Sequence, residues 1–152
     1  MAHPIVPQER PATIETHVWG QEHAWLHNVF KSPRNTLPKF RFPDLLAACI
    51  SLVVGAADAH LRLVEFMVTE LTARDPSSKR RNCDVWASQF DQLMDFHRSP
   101  LNRFPNPKFD LDHIATACVA LAQQHPFGEA AVLTEARRNF RARVNAARGA
   151  SN

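Results

Sequence analysis

Residues 18–35 read VWGQEHAWLHNVFKSPRN, and residues 85–102 read VWASQFDQLMDFHRSPLN. Laid over each other at an offset of 67, they agree at six of 18 positions: Val18/Val85, Trp19/Trp86, Leu26/Leu93, Ser32/Ser99, Pro33/Pro100 and Asn35/Asn102. Lys31 and Arg98 also match in charge. An offset of 69 brings residues 38–52 (PKFRFPDLLAACISL) onto 107–121 (PKFDLDHIATACVAL), with another six identities of 15. These are Pro38/Pro107, Lys39/Lys108, Phe40/Phe109, Ala48/Ala117, Cys49/Cys118 and Leu52/Leu121. Trp and Cys, both rare, are among the matches, so a tandem duplication is expected.

Each copy reads in the same order. Trp19, Glu22, Leu26, Val29 and Phe30, and then Trp86, Phe90, Leu93, Met94 and His97, recur at helical spacings and predict an amphipathic helix. Ser-Pro-x-Asn ends it, because proline cannot continue a helix. The Pro-Lys-Phe segment that follows alternates and reads as a short strand or as a loop. An apolar helix is expected over 45–54 and 114–122, with Asp44 and Asp112 as N-caps. A last helix is expected over 58–74 and 129–148, its apolar stripes being Leu61, Val64, Val68, Leu71 and Leu133, Phe140, Val144.

A helix that is apolar all round must be buried on all sides. Two such helices, each with Ala-Cys at its centre, predict halves that meet about a pseudo-twofold axis. The expected fold class is therefore mostly α: a duplicated helix-loop-(short strand)-helix-helix unit packed as one compact domain. Its expected parts are an N-terminal arm (1–16), a first unit (17–75), a polar linker (76–83), a second unit (84–148) and a tail (149–152).

Composition narrows the function. Hydrophobic residues at 45% and charged residues at 22% make a globular mixture. The first 11 residues hold three prolines and no apolar run, unlike a signal peptide. The longest apolar stretch, 45–57, falls short of the roughly 20 residues a bilayer span needs, so no membrane partner and a cytoplasmic location are expected. Cys49, Cys83 and Cys118 contain no Cys-x-x-Cys pair and read as reduced thiols. His23 and His27 stand four apart on a helix, but without HExxH or a third ligand they read as half-exposed packing. Asp91 and Asp95, near His97, read as a solvated face. With four glycines and no nucleophile elbow or paired-carboxylate signature, no enzyme activity, no cofactor and no metal are expected.

The basic residues carry the functional expectation. Net charge is only +3, yet 14 of the 18 cations are arginine, which favours phosphate and carboxylate partners. Lys79, Arg80 and Arg81 cluster between the units, and Arg137, Arg138, Arg141, Arg143 and Arg148 crowd the last helix.

The run Leu37-Pro38-Lys39-Phe40-Arg41-Phe42-Pro43, then a helix, a turn at Gly55 and a second helix from Asp58, resembles the ribbon-helix-helix DNA-binding family of the Arc and MetJ type. The resemblance covers about half the chain, 37–74 and 106–146. It implies that two such strands pair into a ribbon that enters the DNA major groove. Lys39, Arg41, Lys108 and Asp110 would then face the bases, and Phe40, Phe42, Phe109 and Leu111 the core. Asp110 departs from the pattern, because it stands where the first copy has a cation.

The expectation is a non-enzymatic nucleic-acid-binding protein, a duplex-DNA regulator or accessory factor. Its contacts would be Lys39, Arg41, Lys79, Arg80, Arg81, Lys108, Arg137, Arg138 and Arg141. The alternative is an all-α adaptor, inhibitor or small subunit of a nucleoprotein assembly, in which Pro-Lys-Phe is a loop and the arginines meet an acidic protein surface. Both leave room for a homo-oligomer.

Overall fold

A computed structural model describes residues 12–75, 80–103 and 109–150. In chain order they build β1 (Thr13–Trp19), α1 (Gly20–Lys31), α2 (Phe42–Val54) and α3 (Ala59–Phe66), the last continued by a π-helical turn (Met67–Leu71). Then come β2 (Arg80–Trp86), α4 (Ala87–Arg98), a 3-10 turn (Pro100–Arg103), α5 (Leu111–Gln124) and α6 (Gly128–Ala150). The chain is mostly helical, with one two-stranded antiparallel sheet among the described residues.

The first Pro-Lys-Phe segment is not a strand, and the second, at 107–109, lies largely outside the described residues. Residues 38–41 form a loop, and the Phe40 N–H and C=O are both taken by the Asn35 side chain, which leaves neither for a ladder. The ribbon forms instead from β1, where β-branched residues alternate with polar ones, and the more polar β2. In β1, Thr16 and Val18 are buried while Glu15 and His17 face solvent; in β2, Val85 is buried while Asn82 and Asp84 are exposed. Thr16 pairs with Cys83, Thr13 with Trp86, and Trp19 with Arg80. The ribbon thus uses residues 13–16 of the expected arm and 80–83 of the expected linker, and Gly149 and Ala150 belong to α6 rather than to a tail.

Helix starts are also displaced. Trp19 and Trp86 end the strands with extended backbone and stand as N-caps of α1 and α4. The N-cap of α2 is Arg41, not Asp44; Asp44 sits one turn inside and accepts the Arg41 backbone N–H at 2.9 Å. Asp110, not Asp112, caps α5. Asp58 precedes α3 as expected, but the buried side of that helix is Leu63, Phe66, Met67 and Leu71, with Leu61 70% exposed. The i→i+5 bond from Thr72 N–H to Met67 C=O marks the π turn, which rotates its residues off an α-helical stripe.

The core is built on α2 and α5. Leu45, Leu46, Ala48, Cys49 and Ile50 of the first, and Ile114, Ala115, Ala117, Cys118 and Val119 of the second, are fully buried. The two helices pack on each other; β2 and α6 lie against α2, and β1 against α5. Trp19 N–H donates to Thr116 Oγ1 at 3.0 Å, which ties the end of β1 to α5.

The two Ser-Pro-x-Asn segments end in the same device. Asn35, 1% exposed, donates to Phe30 C=O and Phe40 C=O, each at 3.0 Å, and accepts Phe40 N–H at 2.8 Å. Asn102, 2% exposed, donates to His97 C=O and Phe109 C=O at 3.0 Å and accepts Phe109 N–H at 3.2 Å. Each amide ties the backbone of the Phe that precedes the next helix to the end of the helix before it.

Truncating either amide strands buried backbone groups, at about 1–3 kcal/mol for each group left unsatisfied. Asn35→Ala and Asn102→Ala should each lower the unfolding free energy from a urea titration by at least that amount; an unchanged value would show that water replaces the amide. A second expectation concerns the thiols. Burial pushes Cys118 up to about 12, raises Cys49 further, and, with the nearby Asp84 and Glu15 carboxylates, lifts Cys83 to about 12. Since the thiolate is the reactive form, iodoacetamide at neutral pH should modify the native chain slowly and all three cysteines rapidly once it is unfolded, as read by mass spectrometry.

Candidate functional site

The second half of α6 lies over the loop at 38–41 and encloses a groove of ≈ 440 Å³ with it. Its apolar wall comes from Pro38, Phe40, Trp86, Phe140, Val144 and Ala147. The last three are spaced i, i+4, i+7 and form one stripe of α6. Lys39, Arg41 and Arg143 supply cations at its edge.

Asp44 anchors this arrangement. It is buried, and it accepts from Trp86 Nε1 at 2.6 Å and from Arg143 Nη2 at 3.2 Å, besides the Arg41 N–H. The Arg143 guanidinium lies 4.1 Å from the centre of the Trp86 ring, so it stacks and pairs at once. Burial lowers the Arg143 pKa; Asp44 opposes that shift and Arg41 adds to it. An arginine remains charged through such a change, and the cation clips α6 to both halves of the chain.

The solvent face of α6 carries the rest of the charge. Arg137, Arg141 and Arg148, at i, i+4 and i+11, share the stripe next to that of Phe140, Val144 and Ala147. Arg138 flanks it and touches Glu135 at 3.5 Å, although its own side chain is 82% exposed. Residues 137–152 hold five arginines and no acidic residue. Cations near a helix C-terminus are also favoured by its macrodipole.

The expected contact residues therefore separate into groups. Lys39 and Arg41 meet at the groove, with Lys39 Nζ 4.9 Å from the Phe30 ring centre. Arg137, Arg138 and Arg141 line the outer face of α6. Arg80 begins β2 and pairs with Asp112 at 2.8 Å. Six strand steps of about 3.3 Å put Arg80 and Trp86 roughly 20 Å apart along the ribbon, so Arg80 and Arg81 form a separate group. Lys79 and Lys108 lie outside the described residues. Asp110 is the cap of α5 rather than a strand residue. Next to the centre of the ribbon Glu15 faces Asp84 across the strands, and both are exposed. Like charges at that place repel phosphate.

Trp86, Asp44 and Phe140 were not singled out as contacts, and Arg143 appeared only as one of the arginines crowding the last helix. One signal was present: an aspartate at the head of an otherwise apolar helix calls for a partner. Other titratable clusters are committed elsewhere. Ligand atoms of Asp110, Asp112 and His113 lie within 4.8 Å of one another, but His113 Nδ1 accepts the Asp110 N–H at 3.2 Å, and Asp112 holds Arg80. The His23 ring stacks on Phe42 at 4.7 Å and on His27 at 6.5 Å; burial first, then His27 and Arg81, lowers the His23 pKa. Among the described residues no single helix is long and apolar enough to cross a membrane.

Removing one partner of a buried ion pair costs about 3–5 kcal/mol, and Arg143 is partly exposed, so the lower end applies. Asp44→Ala should destabilise the chain by about 3 kcal/mol on that basis and alter Trp86 fluorescence. Asp44→Asn, which keeps an acceptor for the indole, should lose less; equal losses would mean that charge alone holds the clip. No protein-family model, curated protein or solved structure matches the chain.

Proposed function

We propose that this protein is a non-enzymatic nucleic-acid-binding factor that grips the phosphate backbone with the outer face of α6, duplex DNA being its best fit. The observation that carries this reading is the stripe of Arg137, Arg141 and Arg148, flanked by Arg138, on a segment without one acidic residue. Such a stripe binds by releasing counterions from the duplex rather than by reading bases. The ribbon is poorly suited to base reading, because Glu15 and Asp84 form an exposed pair next to its centre. Lys39 and Arg41 stand in a loop at the groove rather than on the ribbon.

The same proposal includes the architecture. Two halves, taken as one unit duplicated about a pseudo-twofold axis, account for many details at once. β2 and α4 begin 67 residues after β1 and α1, while α5 and α6 begin 69 after α2 and α3. Thr16 and Cys83, which the 67 offset equates, pair directly, as a twofold axis through that pair requires. Asn35 and Asn102 make corresponding hydrogen bonds, and Cys49 and Cys118 are both buried. Trp19 lies against His113 as Trp86 does against Asp44. Arg74 and Arg143, 69 apart, each lie over one of these indoles, at 5.9 and 4.1 Å. One strand from each half, followed by helices, is also the arrangement that a single-chain ribbon-helix-helix protein would have, with the ribbon moved to 13–19 and 80–86.

Fluorescence anisotropy with a labelled duplex tests the function. Affinity should fall with salt by a log–log slope of about 0.9 per phosphate neutralised. Replacing Arg137, Arg141 and Arg148 with Gln should weaken all sequences alike and flatten the slope by about 2.7, three such contacts' worth. Arg80→Gln should change neither. No salt-sensitive binding of single- or double-stranded DNA at low ionic strength rejects the proposal.

A further inference from the structure

We infer that the groove between α6 and the loop at 38–41 is a docking site for an acidic, apolar peptide segment of a partner protein. It is a second site, beside the arginine stripe and distinct from it.

Apolar side chains line the groove from both the loop and α6. Leu37, next to Pro38 of the wall, is 95% exposed, and its φ of 54° lies in the left-handed region that bulky side chains rarely adopt. An outlier of this kind, with its side chain held in water, is a reason to look for a ligand. Across the groove Phe140, at the start of the α6 stripe, is 44% exposed. An exposed aromatic residue in the lining, with an exposed aliphatic one next to Pro38 in the chain, suits the insertion of apolar side chains.

Charge selects the partner. Lys39 and Arg41 stand at the cleft as cations beyond Arg143, whose charge is met by Asp44, and Arg141 stands on the neighbouring stripe. The one carboxylate in its lining, Asp44, is buried beneath three donors and projects little negative field. An occupant with Asp or Glu around apolar anchors matches both features. A nucleobase fits less well, because the face of Trp86 on which it would stack is covered by Arg143 at 4.1 Å.

The probe is a labelled helical peptide with Leu and Phe at i, i+3, i+4 and i+7 and Glu or Asp elsewhere, titrated with the full chain in anisotropy. Saturable binding in the micromolar range is expected, and a control peptide with every Leu and Phe changed to Ala should bind at least about tenfold more weakly. Phe140→Glu and Leu37→Glu, at exposed positions, should each weaken binding about tenfold with the circular dichroism spectrum unchanged. Lys39→Glu with Arg41→Glu should do the same and be rescued by a peptide bearing Lys in place of Glu. Arg137→Gln with Arg148→Gln should leave the peptide bound while duplex binding falls, which separates this site from the stripe. Three results would overturn the inference: no binding at low salt, equal binding of the alanine control, or loss of peptide and duplex together in the uncharged Phe140→Ser. Self-association of the free chain that Phe140→Glu abolishes would also overturn it, by making a second copy the occupant.

Discussion

Contact between α2 and α5 is the constraint that the other elements obey. Both helices are apolar around nearly their whole circumference, and small residues (Ala47, Ala48, Cys49 against Ala115, Ala117, Cys118) stand at their centres. Neither helix has a face that water would solvate at low cost, so each must be wrapped. The wrapping crosses between the halves. β1 covers α5 and β2 covers α2, while α6 lies along α2 and α3 along α5. The antiparallel ribbon follows from this exchange, because it brings the two covering strands edge to edge.

The helical framework was legible because its signals are local: stripes at spacings of three and four, Ser-Pro stops, and an apolar run too hydrophobic for a surface. The ribbon was not. Lys39, Phe40, Arg41 and Phe42 alternate as a strand would, but the backbone of Phe40 belongs to Asn35. Alternation from Thr13 to Val18 was equally visible, yet its partner is 67 residues away, at Arg80 to Trp86, where charge made the chain look like a linker. A strand is defined by what it pairs with, and single-chain patterning holds no record of the pairing. The candidate site divides in the same way. Arginine clustering on α6 could be read directly, whereas the meeting of Asp44, Trp86 and Arg143 depends on an approach across 42 and 99 residues of sequence.

The two arginine clips differ in a way that bears on the proposed site. Arg74 pairs with Glu22 through both guanidinium nitrogens at 2.6 Å, within the first half of the chain. At the position corresponding to Glu22 the second half has Gln89, which offers no charge, and Arg143 reaches to Asp44 instead. The long α6 is thereby bound to the first half, whereas the helical turns after Ala59 end at Leu71. On the duplication reading, loss of one local carboxylate and extension of one helix suffice to give a near-symmetric framework a single groove.

Exchange of covering elements also bears on how the molecule comes into being. While the first half leaves the ribosome, β1 has an open edge, and α2 lacks the strand and helices that cover it until Arg80 and the residues after it emerge. Contacts of such wide sequence separation form late and slowly, and an exposed apolar helix beside an unpaired strand is the sort of intermediate that aggregates. The protein is therefore committed to folding as a whole chain. A nascent fragment ending between the halves would find its missing cover only in another such fragment.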